Sequence, residues 1–425
     1  MTHAEAVSHT TRPTSSPPTN DLRTLQVPQL GEVYFNMHHA YFTISEAFRS
    51  TYSFDADGRF LMGFINGLNY YRGLENVIMM KYFTEERRKV RRALATDEKH
   101  ALLADVLARV AAIRAHLPPD MPQRICHWLD AILTWDFARL EAERERFNAI
   151  YKPITILPPD HYFAVVLQAA EGCSWNECTF CDFYRDRRFR IKSPAEFRQH
   201  VQQVKQFFGK AIALRKSLFL ADANALIIPQ ARLLDLLQII HEEFPIDVSR
   251  RGYGGDYALQ GIYSFLDIFG AEKKTRQQYE ELRDYGVRRI YIGLETGDDA
   301  LFALLNKPGS PHECVEAVET IKAAGIDVGV IILAGAGGDR YYQQHVRNSI
   351  AAITHMPLDS GDIVYLSPLV VREEDAYAQQ ARALGLRILT PDEVMIQVDI
   401  IKAELKMSRP DRPRVTLYNI EEFLY

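Results

Sequence analysis

Little in this sequence points to a membrane, a disulfide scaffold or a nucleic-acid surface. No apolar run approaches the ~20 residues that a membrane-spanning helix needs. The amino end has no basic stretch followed by an apolar core, so no secretory signal is expected. Neither sign of charge is in excess: 50 Lys and Arg against 55 Asp and Glu leave −5, which gives no footprint for nucleic acid. Cysteine is scarce. Five in 425 residues do not look like the disulfide framework of a small secreted domain, which favours a reducing, cytoplasmic setting. A hydrophobic fraction of 47% is ordinary for a globular chain, and the length suffices for two domains, or for one barrel with an addition.

Scarcity makes the placement of the cysteines informative. Three of the five lie in Cys173-Ser-Trp-Asn-Glu-Cys178-Thr-Phe-Cys181, while Cys126 and Cys314 are distant and read as inert buried thiols. A thiolate is costly to desolvate, so such a cluster points to soft-metal ligation. The loop follows an apolar strand over 162–168, and Gly172 lets the chain turn tightly into it. Structural zinc takes four ligands, and only three are local. A cubane iron–sulfur cluster on three thiolates instead leaves one iron open to a ligand. Zinc and a chance cluster stay open as alternatives at this point.

The rest of the chain falls into four segments. Residues 1–28 are rich in Ser, Thr and Pro and read as a disordered tail. Residues 29–151 read as a helical domain, with candidate helices over 32–51, 60–81, 99–116 and 122–150. Asp55-Ala-Asp57-Gly58 lacks the remaining oxygens of a calcium loop and reads as a turn. Over 152–375 strands alternate with helices, the mark of parallel βα units. The expected strands are 162–168, 217–221, 246–251, 288–293, 326–333 and 362–368. Residues 376–425 add one helix, near 391–406, and an aromatic tail docked on the barrel. A doubly wound open sheet and a partial barrel both fit six such repeats.

In either architecture function gathers at the carboxyl ends of the strands. There the sequence puts the three cysteines, Asp222-Ala-Asn224, Arg250 with Arg251, Gly293-Leu-Glu295-Thr-Gly297-Asp298, and Gly335-Ala-Gly337-Gly338. Taken singly, each has a plain structural use: Asp222 and Asn224 as helix caps, Glu295 as a helix-start charge, the glycines as turn residues. Arg185, Arg187, Arg188 and Arg190 follow the cysteines and suit an anionic ligand or a solvated loop equally.

With these motifs the chain resembles the radical SAM superfamily over roughly 160–370. The cysteine spacing here is C-x4-C-x2-C, one residue longer than the usual C-x3-C-x2-C. The resemblance implies a partial (β/α)6 barrel, so the expected fold class is α/β, that barrel preceded by a mostly helical domain. It implies a [4Fe-4S] cluster on Cys173, Cys178 and Cys181, with S-adenosylmethionine (SAM) on the fourth iron. The reduced cluster would cleave SAM to a 5′-deoxyadenosyl radical that takes hydrogen from a substrate, here an unidentified small molecule. Phe180 would pack beside the adenine, and Glu295 would meet the ribose or the amino group. Gly335 and Gly337 would let the backbone approach the adenosine, and Asp222, Asn224 and Arg250 would complete the pocket. The usual Gly-Gly-Glu-like turn after strand two, which holds the methionine amino group, is replaced by Ala221-Asp222-Ala223-Asn224. An electron donor such as flavodoxin or ferredoxin is implied. No second cysteine cluster and no βαβ cobalamin domain are evident, so a single-cluster type is expected. The competing reading is a non-catalytic iron–sulfur or zinc sensor on a barrel remnant.

Overall fold

A computed structural model describes residues 23–47, 49–84, 89–249, 258–267, 273–407 and 412–425. The chain divides into two compact units, residues 1–72 with 78–138 and residues 73–77 with 139–425.

The first unit is not helical throughout. Eight strands, β1 (Arg23–Val27), β2 (Gly31–Met37), β3 (Tyr41–Glu46), β4 (Ser50–Asp55), β5 (Phe60–Ile65), β6 (Leu68–Arg72), β7 (Ile78–Phe83) and β8 (Lys89–Ala93), form one antiparallel meander in chain order. Val33 and Phe35, Phe42 and Ile44, and Tyr52 and Phe54 are buried at alternate positions, the period of a strand with one face on a core. The hairpin between β5 and β6 turns on Asn66 (φ 51°) and Gly67 (φ 83°), the left-handed pair of a type I′ turn. Asp55–Gly58 is a turn, with the buried Asp55 carboxylate held by the Arg59 guanidinium at 2.8 Å. Helices expected over 32–51 and 60–81 are therefore corrected to strands, and β1 occupies part of the expected tail. Helices α1 (Thr96–Ala115) and α2 (Gln123–Leu133) follow, and α3 (Phe137–Ile150) falls almost wholly in the second unit.

The second unit is built on seven parallel strands. They are β9 (Val165–Gln168), β12 (Leu218–Ala221), β13 (Ile262–Phe265), β14 (Val287–Glu295), β15 (Asp327–Ala334), β16 (Ile363–Pro368) and β17 (Arg414–Leu417). Each pairs with its predecessor in that order, and β9 and β17 are the two edges. A doubly wound sheet would reverse its order at a switch point; this one never does, so it is an open, singly wound partial barrel. Strand three is Ile262–Phe265 rather than 246–251, where Ile246 makes only an isolated bridge to Leu259. Continuous apolar runs such as Val-Val-Leu in β9 and Leu-Phe-Leu in β12 are fully buried, as strands covered on both faces require. Helices α4 (Pro194–Phe208), α5 (Gln230–Glu243), α6 (Arg276–Asp284), α7 (Asp299–Leu304), α8 (Pro311–Ala323), α9 (Gly338–His355), α10 (Ala376–Ala383) and α11 (Pro391–Met407) complete the unit.

Side chains fill the inside of the curve. Phe219, Phe265, Tyr291 and Tyr365 meet in sequence, the first two pairs edge to face and the last tilted, with centroids 5.1, 6.0 and 6.3 Å apart. Towards the strand starts, Asp160 accepts hydrogen bonds from Tyr291 Oη and Tyr365 Oη, both 2.7 Å, and from Arg289 at 3.0 Å. The tail docks here as well: Tyr418 Oη donates to Leu157 O, and Tyr425 Oη to Ala164 O. The opposite, carboxyl-terminal ends are left free to form a site.

Candidate metallocofactor site

The cysteine loop springs from the end of β9, between the two strands of a small hairpin, β10 (Ala170–Glu171) and β11 (Arg190–Ile191). Its geometry is fixed from two sides. On one, Asp222 after β12 accepts from Gly172 N at 3.0 Å and Gln168 Nε2 at 2.9 Å, with Arg187 Nη1 3.6 Å away. The carboxylate thus ties the first residue of the loop to its returning arm. On the other, the turn after α7 grips the loop at three points. Leu305 O accepts from Thr179 N (3.0 Å), Asn306 O from Trp175 Nε1 (2.9 Å), and Asn306 Nδ2 donates to Glu177 O (2.9 Å). Within the loop, Asn176 N reaches Cys173 Sγ at 3.4 Å and Arg185 donates to Cys178 O at 3.0 Å.

Cys173, Cys178 and Cys181 line one cavity of about 740 Å³ that is open to solvent, together with Phe180, Ala223, Asp267, Glu295 and Lys307. All three cysteines are free. Burial pushes the Cys178 and Cys181 thiols up to about 12 and raises Cys173 as well. At neutral pH they are therefore thiols unless a metal takes the proton's place.

Glu295 ends β14 at a bulge, in the left-handed region at φ 61°. The turn behind it is locked to α9: Gly297 N donates to Ser349 Oγ (2.9 Å), His345 Nδ1 pairs with Thr296 Oγ1 (2.8 Å), and Asn348 Nδ2 donates to Asp298 Oδ2 (2.8 Å). Burial raises the Glu295 carboxyl to about 7, against the pull of Lys307, whose Nζ lies 3.8 Å away. Lys307 Nζ makes its short contact, 2.6 Å, with Asp267 Oδ1. Burial opposes the Lys307 charge, but Asp267 and Glu295 hold its pKa above the usual value. Neither Asp267 nor Lys307 stood out in the sequence, since each is a single charged residue in a turn.

The other expected residues fall elsewhere. Asp222 and Asn224 do not line the cavity; the first clamps the loop, and Asn224 Oδ1 accepts from Asp267 N at 2.9 Å. Gly335 N donates to Gln397 Oε1 and Gly337 N to Tyr377 Oη, and neither glycine borders the cysteine cavity. Arg250 lies outside the described residues. Arg187 donates to Pro153 O, and Arg190 pairs with Glu171 and Glu196, so with Arg185 on Cys178 O three of the four loop arginines are committed to the protein itself.

A singly wound partial barrel with a thiol-lined cavity at its strand ends defines a metallocofactor-binding α/β protein. Residues 167–341 match the family model described as the Radical SAM superfamily. It is similar to 4'-phospho-dehydrooxetanocin synthase of Priestia megaterium, with 22% identity over 225 residues, 48% of this chain and 28% of that protein. The chain thus spans little more than a quarter of that curated relative. Similar solved structures include a cobalamin-dependent S-adenosylmethionine radical enzyme with aqua-cobalamin bound (TM-score 0.37, 11% identity, 76% of this chain and 36% of that one). Another is coproporphyrinogen III oxidase from Escherichia coli (TM-score 0.41, 12% identity, 61% of this chain and 55% of that one). Among the described residues, no helix is long and apolar enough to cross a membrane.

The cofactors of this superfamily are a [4Fe-4S] cluster and SAM, and the spacing of the donors tests the fit. Tetrahedral zinc at ~2.3 Å from each sulfur brings thiolates within about 4 Å of one another. Among the described residues, the group of three potential ligands whose donor atoms all lie within 4.8 Å is Asp327, Asp359 and Asp362, and not the cysteines. The three sulfurs therefore do not all lie within 4.8 Å of one another, so the loop is not drawn in around a single ion. The acidic trio already surrounds Lys322, whose Nζ is 2.8 Å from Asp362 and 2.9 Å from Asp359.

Proposed function

We propose that this protein is a radical SAM enzyme in which Cys173, Cys178 and Cys181 ligate three irons of a [4Fe-4S] cluster and the adjoining cavity takes SAM. When bound, that pair supplies reductive cleavage of the sulfonium and abstraction of hydrogen from an unreactive carbon. The chain's own residues orient and enclose. Phe180 offers an aromatic edge beside the third cysteine, and Glu295 offers a carboxylate to ribose hydroxyls. The clamps at Asp222 and Leu305–Asn306 hold the loop so that little reorganisation accompanies reaction. The single observation that carries this reading is the convergence of three thiols with Glu295 on one cavity at the strand ends.

The substrate is a small molecule that enters through the broader depression sharing Phe180 and Cys181 with the cavity and bordered by Asp182, Arg185 and Arg372. Electrons come from a small donor such as flavodoxin or ferredoxin, in the cytoplasm. The test is anaerobic: reconstituted, reduced protein should slowly convert SAM to 5′-deoxyadenosine and methionine without substrate, and the triple cysteine variant should be silent. Cluster-loaded protein that binds SAM yet never cleaves it would replace this reading with that of a sensor.

A further inference from the structure

Among the polar groups around the cysteine cavity, one hydroxyl is left over. Tyr184 follows Cys181 by three residues, borders the cavity and is only 6% exposed. Its main-chain oxygen accepts from Asn176 Nδ2 at 2.9 Å, and the Arg187 guanidinium lies 5.5 Å from its ring centre. These contacts fix the ring, yet the phenolic oxygen has no hydrogen-bond partner among the described residues. The other phenol on the cavity wall, Tyr291, is committed to Asp160 at 2.7 Å, towards the strand starts. A buried hydroxyl without a partner is costly, and a redox or catalytic role is one of the few reasons a fold keeps one. Tyr184 also borders a smaller chamber of about 200 Å³, shared with Thr155, Phe219, Asp222 and Phe265. Thr155 borders both that chamber and the broader depression, and its Oγ1 is buried without a described partner. The Asp222 oxygens are taken by Gly172 N and Gln168 Nε2. Two uncommitted hydroxyls thus mark one route from the depression to the cavity.

We propose that Tyr184 is the hydrogen-atom donor of this cavity, giving its phenolic hydrogen to a carbon radical formed there. The inference rests on the proposed function. With SAM alone, the acceptor is the 5′ carbon left by cleavage of the sulfonium. The Tyr184 O–H bond breaks, a C–H bond forms at that carbon, and 5′-deoxyadenosine departs from a phenoxyl radical on the chain. A phenol O–H is weaker than a primary alkyl C–H, so the transfer runs downhill. One electron from the flavodoxin- or ferredoxin-type donor and one proton from solvent, by way of Thr155, restore the tyrosine. A phenolic hydrogen exchanges with solvent, whereas hydrogen on protein or buffer carbon does not. That difference makes the donor readable.

The experiment uses cluster-reconstituted full-length protein, equilibrated in D2O under argon with dithionite and SAM and without thiol reductants. Mass spectrometry then reads deuterium in the 5′-deoxyadenosine. From the parent, most of the product should carry one deuterium. From Tyr184→Phe, at the iron content of the parent, the product should carry no more than it does in H2O. The reading is deuterium per molecule of product, so a slower variant does not blur it. Unlabelled product from the parent, or labelled product from Tyr184→Phe, overturns the inference. Should Tyr184→Phe fail to load iron, parent protein made with ring-deuterated tyrosine decides. Freeze-quenched during cleavage, the ordinary parent should show a tyrosyl signal by electron paramagnetic resonance, and ring deuteration should collapse its splitting; absence of that signal counts against the donor. Parent protein that holds the cluster and binds SAM yet forms no 5′-deoxyadenosine refutes the functional reading, and the inference with it.

Discussion

Replacing Glu295 by Gln should make the cofactor-free protein more stable while weakening its grip on SAM. The carboxyl lies in a wall with Lys307, Asp267 and the Cys178 and Cys181 thiols, and burial moves it from the ordinary 4.5 to about 7. Each pH unit of such movement is worth about 1.4 kcal/mol, so ionised Glu295 opposes folding by about 3 kcal/mol at pH 8. The sign follows from proton counting. Between pH 4.5 and 7 the folded chain holds a proton that the unfolded chain releases, so this contribution is full below the lower value and is lost as pH rises through the upper one. Gln cannot ionise. In urea unfolding of the reduced, cluster-free protein, Glu295→Gln should therefore gain about 3 kcal/mol over the parent at pH 8 and almost nothing at pH 4.5. With the cluster restored, the same variant should bind SAM about tenfold more weakly, as expected for a lost hydrogen bond to a charged acceptor. Equal stability of parent and variant at pH 8 would mean that the carboxylate is ionised without cost and that the charge argument is wrong. A stability gain without a loss of affinity would leave Glu295 out of the SAM site.

Three further outcomes test the arrangement. Anaerobic reconstitution should load about four irons and four sulfides per chain; Cys173, Cys178 and Cys181 changed together to Ala should load none, and Cys126→Ala and Cys314→Ala should load fully, as metal analysis would show. Gly293→Ala puts a methyl 2.1 Å from Glu295 Oε1, the movable end of a side chain, so it should reproduce the SAM-affinity loss of Glu295→Gln with cluster content intact. Gly297→Ala instead meets Asn348 O at 2.2 Å, where only backbone can give way, and should lower stability by about 2 kcal/mol or more in the same urea assay.

The barrel was legible where strands are continuous apolar runs closed by turn residues, because burial on both faces leaves little else for such segments to be. It was less so at the third strand. Phe244-Pro-Ile-Asp-Val248 has the composition of a strand, yet the sheet takes Ile262–Phe265, which pairs with both β12 and β14. The first unit was misread because a short strand rich in aromatics also places apolar residues at helical spacings. Asn66-Gly67 was the available signal: a pair that tolerates left-handed backbone between apolar flanks favours a tight hairpin over a helix.

The same distinction between what a residue can do and what it is asked to do governs the site. Three cysteines in nine residues have few alternatives, so their chemistry showed in the sequence. An acid after a strand has many. Asp222 and Asp267 both follow a strand of one sheet and both carry a carboxylate, and nothing local separates them. The separation comes from partners far along the chain: Gly172 N and Gln168 claim Asp222, while Lys307, 40 residues beyond Asp267, meets it at 2.6 Å. Lys307 is brought there by the turn whose Leu305 and Asn306 also hold the cysteine loop. One turn therefore sets both the donor loop and the charge beside it. A change in that turn should disturb metal loading and SAM affinity together, whereas Glu295→Gln should disturb the second alone.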